Sequence, residues 1–88
     1  MAAIQKLPNN FTEAEVDDEI IIMRLDNGEI LSLVDSAAAA WRLIDGRRDR
    51  EALIGYLAAE YAADQQEITR DISGLLQQLA EARLIAEG

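Results

Sequence analysis

Asp26-Asn27-Gly28, set between two aliphatic runs, constrains this chain more than any other feature. Ile20-Ile21-Ile22-Met23 precedes it and Ile30-Leu31-Ser32-Leu33-Val34 follows. Two β-prone runs around such a tripeptide read as a hairpin, because Asn and Gly accept the positive φ that tight turns require. Two registers compete. A two-residue turn at Asn27-Gly28 pairs Arg24 with Leu31 and sets a charge beside a core residue. A three-residue turn, with Gly28 in a left-handed bulge position, pairs Leu25 with Glu29, Met23 with Leu31 and Ile21 with Leu33. The second gathers Ile21, Met23, Leu25, Leu31 and Leu33 on one face, and it is the expected register because pairing follows the face that must be buried.

A lone hairpin is marginal in water, so this one requires a helical layer on its apolar face. Its outer strand, Glu29–Val34, then has two readings. It is an edge blunted by Glu29 and Ser32, or it is a row of free N–H and C=O groups that can template a strand from another chain.

Eighty-eight residues make one domain, expected as residues 11–88 after a flexible N-terminus over residues 1–10. A chain of this size buries roughly 60–65% of its unfolded surface, enough for a thin core without a deep internal active site. Cysteine and histidine are both absent. That removes disulfides, thiol nucleophiles, sulfur ligands, the commonest general base and the commonest metal ligand. No apolar run is long enough to cross a membrane and no secretory signal pattern opens the chain. The expectation is a cytoplasmic protein that is not an enzyme, with no cofactor, no metal and no membrane association. The net charge of −9 opposes nucleic acid as a partner. Glu13, Glu15, Asp17, Asp18 and Glu19 form an acidic run without calcium-loop spacing, which reads as a solubilising edge.

Along the chain, Phe11–Val16 reads as a first strand pairing with Glu19–Leu25, so that Glu29–Val34 stays at the free edge of a three-stranded meander. Asp35-Ser36 offers an N-cap to a short helix whose buried positions are Ala37, Ala40, Trp41 and Ile44, ended by Gly46. Trp41 is read as a core anchor. Asp49 can cap a second helix with the stripe Leu53, Ile54, Leu57 and Tyr61. Asp64-Gln65-Gln66-Glu67 resembles a capping box opening a third, which carries Ile68, Ile72, Leu75, Leu76 and Leu79. Gly74 inside that helix costs about 1 kcal/mol relative to alanine. It reads equally as a tolerated blemish or as a place where another backbone approaches. Leu84-Ile85 is a last hydrophobic anchor. The fold class is therefore α+β and winged-helix-like, a three-stranded antiparallel sheet followed by three helices.

Two other functions share parts of this pattern. Asp35-Ser36-Ala37 is faintly like the phosphopantetheine site of acyl carrier proteins, but the serine directly follows a strand, and capping explains it better. A hairpin with three helices also suits a winged-helix DNA-binding regulator. Arg70, Gln77, Gln78 and Arg83 on the third helix would serve, yet Glu67, Asp71 and Glu81 offset them.

The hairpin Ile21–Val34, the alanine-rich helix after it and the closing Asp45-Gly46 resemble the PqqD-like family. Leu57-Ala58-Ala59-Glu60-Tyr61 is similar to that family's Leu-x-x-Glu-Tyr segment, and Asp71–Leu79 to its Asp-Val-x-x-Leu-Leu-x-x-Leu segment. Val34 departs from the family's frequent asparagine. The similarity spans roughly residues 15–86 and rests on the order and spacing of the motifs. It implies a recognition element for ribosomally made, post-translationally modified peptides. Such a module binds a precursor's leader and presents it to a modifying enzyme such as a leader peptidase or cyclase, in lasso-peptide or quinone-cofactor type pathways. By position, the resemblance puts Glu29, Ile30, Leu31, Ser32, Leu33 and Val34 at the backbone-pairing edge, and Asp71, Gly74, Leu75 and Gln78 on the groove wall. It tips the balance between the two readings of the edge toward strand addition. The arginines Arg42, Arg47, Arg48 and Arg50 read either as a contact for an acidic segment or as a solvated turn, and pairing of free edges leaves a homodimer open.

Overall fold

A computed structural model describes residues 3–62 and 64–87. The chain opens with β1 (Ile4–Lys6) and a single 3-10 turn at Pro8–Asn10, followed by β2 (Phe11–Val16), β3 (Glu19–Arg24) and β4 (Ile30–Leu33). Three helices come next: α1 (Asp35–Leu43), α2 (Arg50–Tyr61) and α3 (Gln65–Glu81), before a closing β5 (Ile85–Glu87). The main sheet is antiparallel with order β2-β3-β4, so both β2 and β4 are edges, and β1 pairs separately with β5. The α+β, winged-helix-like architecture read from the sequence is the one observed, with the small β1–β5 ribbon added.

The hairpin is present in neither anticipated register. Ile20 faces Leu33, Ile22 faces Leu31 and Met23 faces Ile30, one step from the expected pairing. The connection is a four-residue loop between Arg24 and Glu29. The Arg24 N–H donates to the Glu29 carbonyl at 2.8 Å, and the Gly28 N–H donates to the Arg24 carbonyl at 3.0 Å. Gly28 takes the left-handed φ of 73° that glycine was expected to supply. Asn27 Oδ1 accepts the Glu29 N–H at 2.9 Å and closes the loop. A one-step shift exchanges the faces of β3. Ile20 and Ile22 are buried with Leu33 and half-buried Leu31, whereas Met23 and Leu25 are exposed. Arg24 lies on the core side after all, at the end of the strand, where Asp26 and Glu29 neutralise it.

Helices cover only the core face of the sheet. Trp41 is 1% exposed and meets Phe11 edge-on, ring centroids 5.3 Å apart, as an anchor between α1 and the sheet. Ala38, Ala40 and Ile44 join it in the core. Leu53, Ile54 and Leu57 of α2 pack with Ile68, Ile72, Leu76 and Leu79 of α3 in the same cluster. Tyr61, expected in that stripe, is instead exposed at the last turn of α2.

Other expectations are corrected. Ile4–Lys6 is a paired strand with Ile4 buried rather than part of a frayed terminus; Met1 and Ala2 lie outside the described residues. Its partner, β5, is where Leu84-Ile85 anchors the tail, with both side chains buried. The α1 N-cap is Val34, not Asp35 or Ser36. The Val34 carbonyl accepts from the Ala37 and Ala38 N–H groups, and Asp35 turns the corner with a φ of 53°. Asp49 caps α2 through the Ala52 N–H, as expected, and Asp64 caps α3 through the Gln66 N–H.

Candidate functional site

Antiparallel pairing alternates the direction of backbone groups, so each strand residue points its N–H and C=O either at its neighbour or away. Arg24 bonds toward Glu29, which fixes the parity: on β4, Leu31 and Leu33 turn their backbone groups to β3. Ile30 and Ser32 turn theirs outward, as does the Val34 N–H, the Val34 carbonyl being taken by α1. On β3 the Leu25 N–H donates to the Asn10 carbonyl at 3.0 Å, so the outward groups of β2 are those of Phe11, Glu13 and Glu15. Among the described residues no buried side-chain polar atom lacks a partner. Both edge strands of the main sheet thus present an outward row of backbone groups.

Beside β4 lies a cleft of about 540 Å³. Arg24, Glu29, Ile30 and Leu31 form its sheet side; Gln78 and Glu81 of α3, and Ala82 just beyond, form the other. The Arg24 guanidinium grips Asp26 at 2.7 Å and Glu29 at 3.4 Å, so it stays charged above the usual arginine range through the Asp26 hydrogen bond. The same bond holds the Asp26 carboxyl below the usual carboxylate range. The end of α3 is fixed by a left-handed Arg83, φ 63°, whose carbonyl accepts from Asn10 Nδ2 at 2.9 Å. That bond ties the end of the helix to the turn before β2.

Of the residues singled out in the sequence, Glu29, Ile30, Leu31 and Gln78 meet in this cleft. Ser32 stands on the same edge, with its hydroxyl on Glu19. Leu33 is buried in the core and Val34 is the exposed cap of α1. Asp71, Gly74 and Leu75 continue the Gln78 stripe of α3 toward its N-terminus without lining the cleft. A Cβ on Gly74 would meet nothing within 4 Å, so no backbone of this chain approaches it. Arg24, Glu81 and Ala82 were missed. Extending the stripe from Gln78 by three and four residues reaches Glu81 and Ala82, a signal the helical period already contained. Arg24 carried no signal, because its place depends on the register.

Arg42 pairs with Glu15 at 2.8 Å, Arg48 with Asp45 at 2.8 Å and Arg50 with Glu87 at 2.5 Å, so most of the arginine cluster is spent inside the chain. Among the described residues no group of three or more acidic side chains gathers into a metal site, and no helix is long and apolar enough to cross a membrane. Another hollow, about 430 Å³ between the N-terminal turns of α2 and α3, is bridged by the Arg50–Glu87 pair and has no open edge of the main sheet along it.

Known proteins share both sequence and shape with this chain. The family described as Coenzyme PQQ synthesis protein D (PqqD) matches residues 19–85. A PqqA binding protein from Rhodopseudomonas palustris strain TIE-1 is 40% identical over 58 residues, covering 66% of this chain and 57% of that protein. Its counterpart in strain BisB5 is 38% identical over the same length. The chain thus spans a little over half the length of these curated relatives. Two solved structures superpose almost end to end. TbiB1 in complex with the TbiA(beta) leader peptide has a TM-score of 0.81 at 25% identity, covering 96% of this chain and 98% of that one. Lasso peptide synthetase B1 complexed with the leader peptide has a TM-score of 0.79 at 27% identity, covering 97% and 99%.

Proposed function

This chain belongs to the PqqD family, and from that premise we propose that it binds the leader segment of a ribosomally made precursor peptide by strand addition on β4 and presents it to a modifying enzyme such as a leader peptidase or cyclase. The observation that carries the reading is the vacant backbone row of Ile30 and Ser32 running beside the α3 cleft. An extended guest there bonds through its main chain, which makes affinity tolerant of sequence, while alternate side chains enter the cleft between Leu31 and Gln78 and supply selection. A leader that orders on binding loses conformational entropy, so moderate affinity follows.

The end-to-end likeness to two leader-bound proteins, one of them a lasso peptide synthetase B1, supports the lasso type over the quinone-cofactor type, whose curated relatives this chain covers only in part. The module acts by binding rather than by catalysis, and the absence of histidine and cysteine fits that role. It works in the cytoplasm, where a ribosomal precursor is made. Nucleic acid is a poor alternative for a chain of net charge −9.

The test is an amide titration with the leader of the precursor encoded beside this protein. Ile30 and Ser32 should shift most, followed by residues of α3 near Gln78. Shifts confined to β2, or no binding by any neighbouring precursor, would overturn the reading.

A further inference from the structure

The face of the main sheet turned away from the helices is apolar and uncovered. Register places Thr12, Ala14 and Val16 of β2, Glu19, Ile21 and Met23 of β3, and Ile30, Ser32 and Val34 beside them on that side. Val16 is 55% exposed, Met23 39%, Ile30 64% and Val34 50%. Among the described residues only Leu25, Tyr56 and Tyr61 are other large hydrophobics so exposed, and Leu25 sits in the loop at the end of this same sheet. Isolated apolar side chains on a surface are ordinary, but a contiguous set on one sheet face marks an interaction surface.

The rim gives the patch a sign. Asp17, Asp18 and Glu19 stand together at the β2–β3 turn, while Asp26 and Glu29 at the opposite end are taken up by Arg24. The one basic residue of β2, β3 or β4, Arg24, faces the core side and is held by Asp26 and Glu29. The same face of a second copy carries no basic side chain to meet that acidic rim. A partner whose own apolar patch is ringed by lysine or arginine would be matched in both respects.

We propose that this outer face is the docking surface for the enzyme that acts on the bound peptide, through an apolar patch on that enzyme edged with basic side chains. The inference rests on the leader-binding reading, since it is the leader edge that makes the face useful. Ile30 and Val34 belong both to this face and to the β4 edge, so the surfaces are continuous. A guest strand on β4 would lie next to the docked enzyme without being covered by it.

The experiment uses the full chain, the leader, and the purified processing enzyme encoded with the precursor. Affinity for the enzyme is measured with and without leader, and affinity for the leader separately. The double variant Val16→Lys/Met23→Lys changes exposed positions away from the β4 edge, and a thermal melt checks that it folds. It should keep leader affinity within about twofold and lose at least about tenfold in affinity for the enzyme. Asp18→Lys should weaken enzyme binding about threefold at low salt, with the difference vanishing near 1 M salt. Unchanged enzyme affinity in the double variant would overturn the proposal. So would concentration-dependent dimerisation of the wild type that the same substitutions abolish, which would assign the face to a second copy. If the wild type takes the enzyme but not the leader, the leader-binding reading fails while this surface stands.

Discussion

The main sheet has two open edges, and the chain treats them differently. At the β2 edge, the core-side carboxylates are consumed internally: Glu13 accepts from Trp41 Nε1 and Glu15 from Arg42. Lys6 Nζ lies 4.4 Å from the Trp41 ring centroid, half-buried, and burial lowers its pKa. The hollow beside β2 is therefore furnished with the protein's own charged and aromatic side chains. At the β4 edge the hollow lies between strand and helix, with Arg24 paired to Glu29 on the strand side and Gln78 and Glu81 of α3 opposite. Backbone groups alone do not decide which edge receives a guest, since both have them. The difference lies in whether the neighbouring helix has already spent its side chains on the strand.

The largest test of this contrast is Trp41→Ala. It removes the residue that engages Phe11, Glu13 and Lys6 together. Loss of so large a buried ring costs about 3–5 kcal/mol, measured by urea unfolding, and amide exchange at Thr12 and Ala14, whose N–H groups face β3, should accelerate more than at Leu31. Next comes Ser32→Pro. Proline is tolerated where the N–H faces solvent, so the β3–β4 ladder should survive while the guest loses a donor and meets the ring. Leader affinity should fall about 30-fold or more, near 2 kcal/mol by calorimetry. Glu13→Pro, the matching change on β2, should leave leader affinity unchanged; equal losses from both would erase the distinction between the edges.

Gly74→Ala is subtler. The site is open and helical, so alanine should raise stability by about 0.5–1 kcal/mol in thermal unfolding. If the guest backbone lies against α3 there, leader affinity drops at the same time; gain in both would remove Gly74 from the groove wall. The smallest effect is that of acid. The Asp26 carboxyl is held down by Arg24, so its contribution is complete above the ordinary aspartate range and fades as pH falls through its lowered value. A carbon-detected titration of Asp26 should show that depressed midpoint, and Arg24→Gln should raise it.

Most of the architecture could be read from residues alone, for physical reasons that differ by element. The helices announced themselves because Leu53, Ile54 and Leu57, or Ile68, Ile72, Leu76 and Leu79, recur at a period only a helix satisfies. The hairpin was legible but its register was not. Ile20-Ile21-Ile22 is apolar on both faces, so the pattern does not say which side is inward, and keeping Arg24 out of the core selects the wrong register. The protein answers that objection with Asp26 and Glu29, two charges that a loop one residue longer brings within reach. The edge itself was located correctly in the sequence, yet only the observed parity distinguishes Ile30 and Ser32 from Leu31 and Leu33. The β1–β5 ribbon escaped notice because three-residue strands carry no periodicity, and their pairing joins the two ends of the chain.

That ribbon holds the two ends of the unit side by side. Ile4 lies across from Glu87 in neighbouring strands, so the chain departs close to where it arrived, about 5 Å apart in backbone terms. A polypeptide that takes this unit into one of its loops need open that loop by no more than a strand's width. The same proximity favours rejoining the ends and cutting elsewhere, which would give engineered permutants a ready seam.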